Sequence, residues 1–428
     1  MQTDLNANAP QKVRKARLKI DWKSIGYSAV MPILAVLLAL LFGAVMLLLL
    51  GVSPTEAYSA MIVGVFGSVS GITQALVKAT PLLLVGLGIC IAFRASVINI
   101  GAEGQIILGA LMGTWFSLAF KAWPGWLLIP ATILVGFLAG SAWGFVPGIL
   151  KARFQVNEIL STVMLNAIAL QLMNMMLRGP LIDPAGITAG TYLAQSERLP
   201  QQVWLTRLVP QTLLHTGLIV AILLAFVVYI FLWRTTLGYR IRAVGLNPDA
   251  SRYAGVSVPV HQALSLTLAG GFAGLAGVIE VIGVQHRLLE GITSGYGFSG
   301  IVAALFGGLH PLGVIPASFL FGGLLVGADK MQRAVQVPSA LIDAILGLIV
   351  LFVVGSAYLS KRWAARRMIA ASKAQAAAKI EQATTDEPIL SSESAPRSET
   401  QSGGGVAPPD PGLTALPDSD ARSKELLP

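Results

Sequence analysis

The sequence predicts an all-α polytopic membrane protein of about ten transmembrane helices, eight to ten by run length, with both termini in the cytoplasm. Three observations predict it. Apolar residues make up 54% of the 428 and charged residues only 12%, with a mean hydropathy of +0.71. A soluble domain carries about 25% charge, so this chain lacks the polar surface to face water all round. The apolar residues gather in runs near the bilayer requirement of about 20, with about 17 as the floor. Lysine and arginine cluster at the ends of those runs, which is how a membrane protein is oriented. The net charge of +9 is therefore no argument for a nucleic-acid partner, and none is expected. The single cysteine, Cys90, lies inside an apolar run, so no intrachain disulfide forms.

In chain order the runs are 26–51, 79–93, 104–120, 127–150, 158–177, 214–233, 262–285, 297–309, 312–327 and 339–358. The first follows Lys12, Arg14, Lys15, Arg17, Lys19 and Lys23. At about 25 residues it exceeds the 7–15 of a signal peptide and is expected to stay as an anchor. The moderately apolar segment 60–76 is expected to lie along the outer surface or dip into the membrane. Run 297–309 is too short for a clean crossing and reads as a half-helix or re-entrant segment. With the N-terminus inside and ten crossings, inner segments hold 19 lysines and arginines. Outer segments hold 8: Lys78, Lys121, Arg178, Arg198, Arg207, Arg287, Lys330 and Arg333. Most of that bias comes from the two ends.

The organisation that follows is a basic cytoplasmic N-terminus (1–25), a transmembrane domain (26–359) with a cytoplasmic loop at 234–261, a basic helix (360–383) and a tail (384–428). The tail is Ser, Pro, Gly and Asp without period, a composition that cannot bury a core. The longest outer connection runs from Arg178 to about His215. The spacings Gly270-x3-Gly274, Ala273-x3-Gly277 and Gly323-x3-Gly327 let helix backbones approach closely, and packing within the chain is the expected use.

Catalytic signatures are missing. There is no G-x-x-x-x-G-K-[ST], C-x-x-C, H-E-x-x-H or G-x-S-x-G. His215, His261, His286 and His310 are scattered along the chain. No catalytic residue, metal or cofactor is expected.

Two stretches stand out. In the first, Phe93–Gln105, Gly101 and Gly104 alternate with Asn99, Glu103 and Gln105 between two apolar runs. That pattern predicts a broken or tightly turned backbone, tolerated at membrane depth only when buried in protein or lining a watery cavity. Glu103 reads either as a helix-start acid opposing the dipole of the following span or as a group in a transport path. In the second, Gly238–Gly255, Asn247 before Pro248 reads as an N-cap with proline at the first helical position. Asp249 adds a first-turn acid and Gly255 stops a helix of barely two turns. A short, well-capped helix between two spans suits docking of a soluble partner; an ordinary basic loop is the plainer alternative.

Asp249-Ala-Ser-x-x-x-Gly255 is similar to the E-A-A-x-x-x-G loop of bacterial ABC importer permeases, with Asp for Glu and Ser for the second Ala. Together with Asn99–Gln105 (NIGAEGQ, after Ala92-Phe93-Arg94) and Arg242–Gly255, it resembles the ribose/branched-chain amino acid class of permeases, and within it the purine-nucleoside branch. The resemblance covers roughly residues 25–360. It implies a permease subunit of the bacterial cytoplasmic membrane working by alternating access. Its partners would be an ABC ATPase subunit, a second and paralogous permease subunit, and an extracytoplasmic substrate-binding lipoprotein, with membrane lipid around it. By carry-over, Gly238, Arg240, Arg242, Gly245, Asn247, Asp249, Arg252 and Gly255 form the ATPase-coupling element, the arginines being available for acids on the ATPase. Asn99, Gly101, Glu103 and Gln105 are candidates for the translocation path. For a nucleoside cargo, Asn166 and Asn174, eight positions apart on one helix, join that group, although bonding between helices explains them more simply. Ribose is the alternative cargo.

Glu280 and Asp343 lie inside later runs. A proton-coupled secondary transporter would use such acids and is the rival of another class. Both sit near the outer ends of their runs, which favours a structural or vestibule role. A channel is the third class, and nothing resembles a filter or charged ring.

Overall fold

The computed structural model describes residues 22–338 apart from 189, 191 and 192, together with positions 341, 344, 345, 347, 348, 351, 352 and 355. The order is α1 (Trp22–Leu49), α2 (Pro54–Phe66), α3 (Val69–Arg94), α4 (Ala102–Ala119), α5 (Gly125–Phe154), α6 (Glu158–Leu177), the short α7 (Pro184–Thr188), α8 (Gly217–Arg234), α9 (Thr236–Leu246), α10 (Pro248–Tyr253), α11 (Val258–Glu280, continued by a π-turn through Gln285), α12 (Tyr296–Phe306) and α13 (Pro311–Val335). The described residues contain only isolated β-bridges and no strand. Among the described residues, six helices are long and apolar enough to cross a membrane: α3, α5, α6, α8, α11 with its π-turn, and α13. The protein is an all-α polytopic membrane protein. The expected basic helix 360–383, the tail, Asp343 and nearly all of the N-terminal segment lie outside the described residues.

Most predicted runs became helices with ends moved by a few residues, and 158–177 coincides with α6. Segment 60–76 is different. It divides into α2 and the first turns of α3, because Ser68 breaks the helix and caps the next one, its Oγ accepting from Gly71 N at 3.1 Å. Run 297–309 is the eleven-residue α12, half a crossing in length.

α3 and α11 are buried along most of their length, whereas α5, α6 and α8 carry exposed apolar faces such as Leu160, Met164 and Ile168 on α6. In lipid, apolar burial gives no drive for helices to associate, so close backbone contact must supply it. The glycines of α11 do this. A Cβ on Gly270 would lie 2.3 Å from Gly140 O, one on Gly274 2.3 Å from Gly136 O, and one on Gly277 2.1 Å from Ile106 O. The first two small-residue spacings are thus packing within the chain. In the third, Gly327 abuts Met61, but Gly323 meets only Val65 at 3.7 Å.

At the end of the bundle opposite α9 and α10, the connection between α7 and α8 docks on the corner after α11. Ser196 N donates to Leu288 O, Leu199 N to His286 O (both 2.9 Å) and Leu205 N to Ile282 O (3.1 Å). The Trp204 and His286 rings stack at 4.0 Å, with the Arg198 guanidinium over Trp204. His215 is buried and its Nδ1 accepts from Gly217 N. Burial, then the neighbouring His286, pushes His215 from 6.5 down to about 4. Burial, then Arg198 and Arg207, lowers His286. Both groups have folded-state values below their unfolded ones, so the docked loop excludes protons that the undocked loop binds. The contribution of these two groups to docking is complete above pH 6.5 and is lost as pH falls toward 4. Hydrogen exchange across 196–205, corrected for intrinsic rate, should therefore accelerate between neutral pH and about pH 4.5. Unchanged protection over that range would remove the histidines from this role.

Candidate functional site

α3 ends at Arg94, against Gly245 of α9 and so at the arginine-rich, basic end of the bundle that carries α9 and α10, but α4 does not start there. Residues 97–100 are non-helical, and the first turn of α4 meets α6 at Thr162 and Asn166 and approaches α5 at Gly144. Asn166 is eight residues into α6 and Gly144 ten residues from the end of α5. At 1.5 Å per residue, α4 begins about 12–15 Å inside the bundle. Buried backbone there must find partners, and amides supply them. Asn99 Nδ2 donates to Gln105 Oε1 (2.9 Å) and Gln105 Nε2 to Asn99 Oδ1 (3.3 Å), while Asn99 Oδ1 also accepts from Gly101 N (3.0 Å). Asn166 Oδ1 accepts from Gly104 N (2.8 Å) and its Nδ2 donates to Ile100 O (3.0 Å). Gly101 and Gly104 pack closely there, since an added Cβ would lie 3.0 Å from Thr162 and from Asn166 respectively, so either neighbour would have to give.

Glu103 completes this knot from α4. Its Oε1 accepts from Gly297 N at 3.0 Å across 194 residues, and the Thr293 side chain and Phe298 N–H lie within reach of the same carboxylate. The carboxylate thus stands at two helix starts, its own and that of α12, where the positive dipole ends favour a negative charge. α12 is a half-helix that starts inside the bundle and ends at the basic end.

Five of the six predicted path residues therefore gather around the start of α4: Asn99, Gly101 and Gln105 bond one another, Asn166 bonds the neighbouring Gly104 and Ile100, and Glu103 bonds Gly297. Asn174 is not among them: two turns farther along α6, its Nδ2 reaches only Gln171, at 3.5 Å. Glu280, expected near outer water, is buried at 6% exposure because α11 continues past it into the π-turn. It lies in electrostatic reach of Lys78, which pairs with Asp329 at 2.7 Å.

The 234–261 loop holds two short helices rather than the single one expected. α9 is capped by Thr235, whose Oγ1 accepts from Gly238 N (3.1 Å), and α10 by Asn247, whose Oδ1 accepts from Ala250 N (3.0 Å). Gly255 takes φ +78°, the left-handed conformation that stops α10. Arg240, Asn247, Asp249 and Arg252 are exposed, and Gly238 is buried against Phe231 O. Asp249 and Arg252 stand 3.9 Å apart on the surface, a pair worth little. Leu246 and Tyr253 are 88% and 95% exposed, large apolar side chains that sequence reasoning passed over.

Arg242, expected in the same coupling element, turns inward. Its guanidinium lies 5.5 Å from the centroid of Trp233 and that of Arg94 5.1 Å from the same ring. Arg94 Nη2 also donates to Leu309 O at 3.1 Å, and the His310 ring lies 4.9 Å from Trp233. Burial, then Arg94, lowers the pKa of His310. The sequence places Arg94 only in the stretch preceding Asn99–Gln105 and gives it no role, since its partners are distant in sequence. Among the described residues no three His, Cys, Asp or Glu side chains gather to hold a metal.

Residues 71–354 match the family described as branched-chain amino acid transport system / permease component. The chain is 38% identical over 76% of its length to a guanosine ABC transporter permease of Bacillus subtilis, covering 92% of that protein. It is 36% identical over 77% to a glucose ABC transporter permease of Haloferax volcanii (88% covered) and 34% over 75% to a nucleoside ABC transporter permease of Lactococcus lactis (89% covered). No solved structure matches.

Proposed function

Since the chain belongs to the branched-chain amino acid transport system / permease component family, we propose that this transport subunit carries a nucleoside across the cytoplasmic membrane of a bacterium by alternating access. The subunit itself has no ATPase activity; ATP hydrolysis belongs to a partner. The observation carrying the cargo class is Glu103 at the starts of α4 and α12. In transporters with broken helices, free N-terminal dipole ends receive anionic substrate groups. Here the protein's own carboxylate stands at these two helix starts, so they are not free to receive a substrate carboxylate, and a neutral, hydrogen-bonding solute fits better than an amino acid. The guanosine and nucleoside permeases among the relatives favour a nucleoside; the glucose permease supports a neutral sugar as second reading.

Uptake of radiolabelled guanosine by cells expressing the transporter tests this. Excess unlabelled adenosine should compete and excess glucose or ribose should not. Competition by sugar alone would move the assignment to the second reading, and competition by leucine alone would overturn both.

The proposed partners are an ATPase docking on α9 and α10, a second, paralogous permease, and an extracytoplasmic lipoprotein delivering the cargo. The exposed Leu246 and Tyr253 are the apolar anchors of the ATPase contact, with Arg240 and Arg252 at its rim. Leu246→Asp combined with Tyr253→Asp should reduce ATPase co-purification at least about tenfold while the chain still inserts in the membrane. Undiminished co-purification would place the contact elsewhere.

A further inference from the structure

We propose that Arg94 is the positioning residue that couples the α9–α10 loop to the half-helix α12, and that α12 is an element the ATPase moves. This rests on the reading of α9 and α10 as the ATPase contact.

α12 is held at both ends by charges from other helices. At its start the Glu103 carboxylate from α4 accepts from Gly297 N. At its end the chain turns through Gly308 and Leu309, both in the left-handed region (φ +68° and +54°), and the Leu309 carbonyl accepts from the Arg94 guanidinium. Negative charge at the start and positive charge at the end both complement the helix dipole. An eleven-residue helix is marginal on its own, so these two clamps, with its packing, set its position.

The second clamp is built into the loop's base. An added Cβ on Gly245 of α9 would lie 2.0 Å from the backbone oxygen of Arg94, so α9 presses directly on the residue whose side chain holds Leu309. The Arg94 side chain also shares the Trp233 ring with Arg242 of α9. Two guanidinium groups and the His310 ring therefore crowd one indole, and among the described residues Arg94 Nε and Arg242 Nε are buried without a hydrogen-bond partner. A small displacement of α9 shifts Gly245 and Arg242 together and redistributes Arg94 between the indole face and the Leu309 carbonyl. That is a local two-position device of the kind that amplifies a small shift at a contact surface.

The test uses the assembled transporter with the full chain in liposomes. The chain carries Cys90→Ala to remove its only thiol, plus spin labels at Phe298→Cys on α12 and Leu138→Cys on α5, both exposed positions. Three quantities are measured: ATPase co-purification, the label distance with and without ATP and vanadate, and, on otherwise unlabelled chains, guanosine uptake. In the Arg94-containing chain, ATP should shift the distance. Arg94→Ala should leave ATPase co-purification and basal ATP hydrolysis intact, remove the shift and lower uptake about tenfold or more. Arg94→Lys, which keeps a donor for Leu309 O, should restore part of both. Trp233→Leu, removing the shared ring, should reproduce Arg94→Ala. A distance that shifts normally in Arg94→Ala, or one that never shifts in the Arg94-containing chain, overturns the proposal while the ATPase contact stands. Absence of ATPase co-purification with the Arg94-containing chain overturns the underlying reading and this one with it. An Arg94→Ala chain lost from the membrane fraction, with Arg94→Lys equally lost, makes Arg94 structural and also overturns it.

Discussion

Glu103→Leu is expected to abolish guanosine uptake, and Glu103→Gln to leave a folded protein with much reduced uptake. Leucine occupies the volume but accepts no hydrogen bond, so Gly297 N loses its partner inside the bundle and the first turn of α12 is left unsatisfied. Each such buried group costs about 1–3 kcal/mol, a large share of the stability of any domain. Glutamine keeps an acceptor for Gly297 but removes the charge facing two helix starts, worth about 0.3–2 kcal/mol at each. Uptake measured beside thermal unfolding of the detergent-solubilised chain separates the two effects. Wild-type uptake by Glu103→Leu would show that the position of α12 is indifferent to this carboxylate, and the neutral-cargo argument would fall with it.

Gly274→Leu should prevent the transmembrane domain from assembling. A Cβ there would lie 2.3 Å from Gly136 O and 2.9 Å from Gly140 Cα, while Gly109, from α4, is built so close that its own Cβ would meet Gly274 O at 2.3 Å. Backbone atoms of three helices converge at this point, and no flexible side chain can yield. Separating them forfeits the contacts that hold helices together in lipid, so the expected loss exceeds the roughly 1–3 kcal/mol of ordinary overpacking. Gly274→Ala, which adds only the clashing Cβ, should lose assembly too, and Gly323→Ala is its matched control. It belongs to the same kind of spacing, yet its nearest neighbour, Val65, is at 3.7 Å, and it should melt like the parent. The monodisperse fraction after solubilisation and the unfolding midpoint report both. Equal behaviour of the two alanine variants would mean that the crossing of α4, α5 and α11 contributes little.

The contrast between Gly274 and Gly323 also shows where the sequence stopped being readable. Both sit in a G-x3-G spacing, and nothing local distinguishes them. Asn166 and Asn174 are a second such pair: two amides on one helix, one stapled to the start of α4 and the other two turns away from it. Arg242 and Arg240 are a third, one turned onto Trp233 and the other exposed.

What the chain's order of residues determined by itself was whatever depends on neighbours a few positions away. Run length and charge placement gave the membrane class and most helix bounds. Asn247 before Pro248, with Gly255 behind, gave the capped α10. The shortness of 297–309 gave the half-helix, and the glycines and amides around Glu103 gave a broken backbone. Only the tertiary structure decided which residues meet: Glu103 with Gly297, Arg94 with Leu309, Gly245 with the backbone of Arg94. The reason is physical. In water a helix advertises its buried face by an apolar stripe, but a helix bathed in lipid is apolar all round. Its inward face is set by how backbones cross, a property of pairs of helices that neither helix carries alone.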